Sequence, residues 1–140
     1  MFVGQYEHAL DRKGRVVLPA PYRASVASRG FVTRLDGCLG LWSEDGFREV
    51  AERFKAERDA GNLELNVFRM FMSNVRDVKL DAAGRVTLPR ELLDELGFGD
   101  QVVVSGNFDR VEIWPAERFQ AEQGSEAGDE LADAIKRLGL

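Results

Sequence analysis

The chain writes one ten-residue segment nearly twice. "LDRKGRVVLP" at residues 10–19 returns as "LDAAGRVTLP" at 80–89, with seven of ten positions identical. The flanks repeat as well. After Pro19 comes a short helical candidate, "APYRASVASRG", with Pro21 near its start and Gly30 past its end; after Pro89 comes "RELLDELG", with Gly97 as the stop. Two short strands follow each helix. "FVTRL" and "CLGLW" are joined by Asp36-Gly37, a two-residue hairpin signal, and "QVVVS" and "RVEIW" are joined through "GNFD". Each copy closes with a tryptophan and, five positions on, a phenylalanine: Trp42 and Phe47, then Trp114 and Phe119. Both halves thus read strand, loop, strand, helix, strand, strand.

Five elements in about 40 residues are too few to bury a core alone. Two copies in one chain supply the missing partner. The expected fold is α+β, mainly β: one fused, barrel-like domain with approximate two-fold symmetry. The first half is set at residues 5–47, linker helices at 48–75, the second half at 76–119 and an acidic tail at 120–140. In the linker, Ser43 is a plausible N-cap, and Phe47, Val50, Ala51 and Phe54 form a helical stripe. A break at Gly61-Asn62 precedes "LELNVFRMFMS", which leaves little room for a polar face. That helix is either buried against the barrel or covered by another subunit, with Phe68 and Phe71 as the expected oligomer contacts. The tail reads as a mobile or weakly docked appendage, helical from Asp129 to Leu138.

Composition narrows the function classes. The longest run without a charged residue is eight, "QVVVSGNF", so no segment spans a bilayer and no membrane partner is expected. Charges come too early at the N-terminus for a signal peptide, and the one cysteine has no internal partner; the chain is expected in the cytoplasm. A single histidine, His8, excludes His clusters for metals and reads as a strand residue with a local hydrogen bond. Cys38 reads as a small core residue. Nucleotide-binding loops and a nucleophile elbow are missing from the sequence. The expectation is therefore no enzyme, no catalytic residues, no metal, no cofactor and no small-molecule substrate.

Charge distribution points elsewhere. The chain carries a net charge of −5, yet residues 1–35 hold six Lys/Arg against Glu7 and Asp11, a net +4. A basic end on an acidic chain suits a polyanion binder. In D-x-x-G-R, the aspartates Asp11 and Asp81 can accept backbone N–H bonds within the turn, and Gly14 and Gly84 supply the positive φ. Arg12, Lys13 and Arg15 put three cations within four positions on one constrained loop. That is chemistry for phosphate contact plus guanine readout. The competing reading is an internal Asp–Arg pair that only stabilises the turn. It weighs more for Asp81 and Arg85, because Ala82 and Ala83 add no charge. The frame is read as kept because both halves need the turn, with charge concentrated where nucleic acid is held.

"MFVGQYEHALDRKGRVVLP", the second "LDAAGRVTLP" and the closing "GNFDRVEIWP" together resemble the MraZ family of bacterial transcriptional regulators, nearly the whole chain to about Phe119. The resemblance implies two AbrB/SpoVT-type halves folded into a swapped-hairpin barrel. It implies ring-like homo-oligomers, nucleoid association, and binding to short direct repeats of double-stranded DNA upstream of the division and cell-wall gene cluster. DNA contact carries over to Arg15, with Lys13 beside it, and to Arg85; Arg12 enters on its charge alone. Ser43 stands where the family often has proline, which touches only the start of the linker helix. Two other readings stay open: an antitoxin whose C-terminal extension grips a protein partner, and a ring-forming assembly protein that binds no DNA.

Overall fold

The computed structural model describes residues 1–26 and 29–140. The first half contributes β1 (Gln5–Ala9), β2 (Arg15–Val17), α1 (Ala20–Val26), β3 (Gly30–Arg34) and β4 (Leu39–Ser43). Two linker helices follow, α2 (Glu44–Asp59) and α3 (Leu65–Asn74). The second half repeats the order with β5 (Arg76–Val78), β6 (Arg85–Thr87), α4 (Arg90–Glu95), β7 (Gln101–Asn107) and β8 (Arg110–Pro115). Helices α5 (Ala116–Glu122) and α6 (Ser125–Arg137) end the chain.

The halves interlock. One antiparallel sheet runs β1-β7-β8-β4-β3-β5, and β2 and β6 form a separate two-stranded ribbon. First-half β1 therefore pairs with second-half β7, and second-half β5 pairs with first-half β3. The equivalent strands β4 and β8 meet at the centre, Leu39 opposite Ile113. This is the expected α+β architecture, built mostly of antiparallel sheet. In its hydrogen bonding the six-stranded sheet is open, ended by β1 and β5.

Both halves feed one core. Val16, Leu18, Val32, Leu39 and Leu41 pack with Val86, Leu88, Val104, Val111 and Ile113, all essentially inaccessible to water. Burying each such side chain contributes about 1.5–3 kcal/mol before entropy. Alternation sets which residues reach this core. Val16 and Val86, opposite each other in the ribbon, point inward, while Arg15, Val17, Arg85 and Thr87 take the outer face. Each half carries a Trp–Phe pair in edge contact, Trp42–Phe47 at 5.8 Å between centroids and Trp114–Phe119 at 6.0 Å.

Several boundaries differ from expectation. Gly30 is not a helix stop but the first residue of β3, where a Cβ would lie 2.6 Å from Val26 Cγ1. Ala27 and Ser28, inside the first helical candidate, lie outside the described residues. Strand β7 runs on to Asn107, leaving Phe108-Asp109 as the turn. Helix α6 begins at Ser125 instead of Asp129, and none of its residues is buried.

The linker helices pack against each other through aromatic rings. Ser43 Oγ caps α2 by accepting from Gly46 N at 3.1 Å. Phe71 of α3 stacks on Phe54 of α2, centroids 3.8 Å apart and 7° from parallel, and Arg58 sits over the Phe68 ring at 4.5 Å. So Phe68 and Phe71, expected to face another subunit, are partly covered by α2 within the chain. The apolar side chains that α3 leaves in water are Leu65, Val67, Met70 and Met72.

Candidate nucleic-acid interface

The two D-x-x-G-R segments fold into the same turn. In the first, Asp11 Oδ1 accepts the backbone N–H of Lys13 and of Arg15, both at 2.9 Å, and Gly14 N donates to Asp11 O at 3.0 Å. In the second, Asp81 Oδ1 accepts from Ala83 N at 3.0 Å and Arg85 N at 2.8 Å, and Gly84 N donates to Asp81 O at 3.0 Å. Gly14 and Gly84 take φ of +74° and +77°, the left-handed region that a side chain resists. The arginine then closes the motif: Arg15 Nε donates to Asp11 Oδ2 at 2.6 Å, and Arg85 Nε to Asp81 Oδ2 at 2.8 Å.

The internal Asp–Arg pair is therefore present in both copies. It engages only one edge of each guanidinium. Among the described residues, the terminal nitrogens of Arg15 and Arg85 make no hydrogen bond. The pair holds each planar fork in one pose with its side chain still partly exposed, 27% for Arg15 and 34% for Arg85, which removes rotamer freedom before any ligand arrives. It also acts on the acids. The Arg15 N–H above all, with the Arg15 side chain and the Lys13 N–H, holds the Asp11 carboxyl below the usual aspartate value, and together they outweigh the desolvation that pushes it up. Asp81 is held down in the same way, first by the Arg85 N–H.

The ribbon ties each loop to the opposite half. Leu88 N donates to Gly14 O at 2.9 Å, and Leu18 N donates to Gly84 O at 2.9 Å. Arg15 lies opposite Thr87 and Arg85 opposite Val17, so the two arginines are diagonal neighbours on the outer face. Such neighbours sit roughly 7–8 Å apart. Because the strands are antiparallel, the two loops stand at opposite ends of the ribbon. One end carries exposed Arg12 and Lys13 together with Arg15; the other carries Ala82, Ala83 and Arg85.

Two cations join this surface that their sequence positions did not advertise. Arg90, at the start of α4, reaches across with Nη2 to Arg12 O at 3.3 Å. Arg23, on α1, donates from Nε to Leu18 O at 2.8 Å and lies against Gly84. Each belongs to one half and sits on the other half's loop. No local sequence motif signals such contacts.

The remaining candidates fall elsewhere. His8 lies in β1, opposite Val102. Cys38 is buried, and burial, then the nearby Glu112 charge, push its thiol up to about 12, so it is no ready nucleophile. Among the described residues, no group of three or more His, Cys, Asp or Glu could hold a metal ion, and no helix is long and apolar enough to cross a membrane.

Fold and site together define an internally duplicated α+β protein, two interlocked β-loop-β-α-β-β units that share one basic ribbon. The chain belongs to the MraZ family. A family model described as "MraZ protein, putative antitoxin-like" matches residues 1–65 and 70–138. The chain is 36% identical over 143 residues to the transcriptional regulator MraZ of Herpetosiphon aurantiacus, covering 100% of both proteins. It is 33% identical over 139 residues to the protein of that name from Symbiobacterium thermophilum, covering 99% of this chain and 100% of that one. With the one from Lachnoclostridium phytofermentans the identity is 32% over 144 residues, covering 100% of this chain and 99% of that protein.

Proposed function

We propose that this protein is a sequence-specific DNA-binding transcriptional regulator, and that Arg12, Lys13, Arg15 and Arg85 form its DNA face. One observation carries the reading: Arg15 and Arg85 are each held at Nε by their own turn aspartate, while their terminal nitrogens make no hydrogen bond among the described residues and their side chains stay partly exposed on the ribbon. A two-stranded ribbon fits the major groove, and a fixed arginine fork matches guanine O6 and N7. Lys13 and Arg12, at the loop tip, contact phosphate. The relatives named transcriptional regulator MraZ support the same role.

In this reading the interlocked halves are a swapped-hairpin, AbrB-like barrel carried in one chain, with the halves, linker and tail at the boundaries given above. The protein works in the cytoplasm on the nucleoid as a ring of identical subunits, without enzymatic activity. Its sites are direct repeats upstream of the division and cell-wall gene cluster. The test is to recover genomic fragments on the purified protein and sequence them. Enrichment of a direct repeat supports the proposal; uniform recovery of the genome refutes it.

A second reading has its own observation. Helix α6 and its C-cap leave Leu131, Ile135 and Leu138 exposed along one stripe, and the matched family model is described as antitoxin-like. An antitoxin would hold a protein partner on that stripe. Co-purification of a stoichiometric small protein that is lost on Leu131→Asp would favour it; a pure homo-oligomer favours the regulator.

A further inference from the structure

The two ends of the ribbon differ in more than their loop residues. Position by position after each proline, "PAPYRASV" aligns with "PRELLDEL", so Arg23 corresponds to Leu93. Both side chains do the same job of covering the other half's turn glycine. A Cβ placed on Gly14 would lie 3.2 Å from Leu93 Cδ1, and one placed on Gly84 would lie 2.5 Å from Arg23 Cζ. The loop rich in cations, with Arg12 and Lys13, is covered by a buried leucine. The loop with two alanines is covered by an arginine. Charge absent from the second loop's own sequence is delivered to it by a helix of the first half.

We propose that Arg23 is the phosphate-contacting cation of the second D-x-x-G-R loop. Its Nε is anchored on Leu18 O at 2.8 Å, next to the Leu18 N–Gly84 O bond. Its terminal nitrogens make no hydrogen bond among the described residues, and the side chain is only partly buried. An anchored guanidinium against Gly84, the residue before Arg85, gives this end a charged donor that Ala82 and Ala83 cannot supply. Both ends of the ribbon then hold a phosphate contact next to an arginine fork, by different routes. This inference rests on the DNA reading proposed above.

The experiment measures binding of the full-length protein to a mixed-sequence DNA duplex as a function of salt. Arg23→Leu installs the side chain that already covers Gly14, and Arg23→Gln keeps a donor near Leu18 O without the charge. Both should weaken binding and lower the slope of log K against log salt by about 1. Adding Ala83→Lys to Arg23→Leu rebuilds the second loop in the manner of the first and should restore the slope. Thermal midpoints confirm folding; if Arg23→Leu does not fold, Arg23→Gln alone decides. A slope unchanged by Arg23→Gln, while Lys13→Ala lowers it, would overturn the role of Arg23 and leave the DNA reading standing. A wild-type protein that binds no duplex, or binds without salt dependence, would overturn both.

Discussion

Leu18 and Gly84 are backbone partners: Leu18 N donates to Gly84 O at 2.9 Å, and Leu88 N makes the equivalent bond to Gly14 O. Neither turn is complete without the opposite half. With β1 on β7 and β5 on β3 as well, the halves should unfold in one transition. Leu88, 2% exposed, lies in the shared core. Leu88→Ala should cost about 2–5 kcal/mol, read from denaturant unfolding, and should lower the stability of both halves together. A fragment of residues 76–119 should not fold as a monomer; a stable folded fragment would contradict the shared core.

Much of this was legible in the sequence. The repeated frame gives the element order of both halves, since Asp, Gly and Pro at fixed offsets mark turns by local chemistry. Partner choice was not, because the pattern of β1 does not say whether β2 or β7 lies beside it. The face of α3 was hidden for a related reason. Leu63, Leu65, Val67, Phe68, Met70, Phe71 and Met72 offer apolar groups nearly all round, and only the Phe54–Phe71 stack shows which side turns inward. Arg23 adds to the basic end in the sequence, but its position on Gly84 depends on how the halves interlock.

Acid should weaken the fold through the turn aspartates. Asp11 and Asp81 sit below the ordinary value of 3.8 in the folded chain. The stability they contribute is complete above that value and is lost as pH falls through their lower folded pKa values. Glu112 adds in the same direction: burial pushes its pKa up, but hydrogen bonds from Asn107, Arg110 and Trp114 outweigh it and hold the value down. Thermal midpoints should fall between about pH 5 and about pH 2. The Asp11→Asn, Asp81→Asn double variant should show a shallower fall. An equally steep fall in the variant would show that the turn carboxylates are not the groups responsible.

If subunits form a ring, the uncovered side of α3 is where they meet. Val67 and Met70 are 45% and 64% exposed, whereas Phe71 is stacked within the chain. Replacing Val67 and Met70 with Asp should leave the fold intact and yield smaller species by light scattering. With fewer loops on one duplex, avidity should fall while weak single-site binding remains. A wild-type protein that scatters as a monomer would refute the ring, and an oligomer unchanged by both substitutions would place its interface elsewhere.

Spacing follows from the same geometry. Loops on one side of a ring reach one face of the duplex only when sites recur about every 10 base pairs. Inserting half a helical turn between repeats of a recovered operator should reduce affinity sharply in gel shifts. Indifference to the insertion would refute cooperative reading by neighbouring subunits.

The most direct measurement compares wild type and Arg15→Ala on a genomic fragment recovered by the protein and on the same fragment with its guanines replaced. Arg15→Ala should lose about 1–3 kcal/mol on the native site and most of the preference for guanine. Lys13→Ala should weaken both duplexes alike, and Arg85→Ala should have the smaller effect. Equal affinity of folded wild type and Arg15→Ala for the native site would contradict the assignment of this ribbon as the DNA-reading surface.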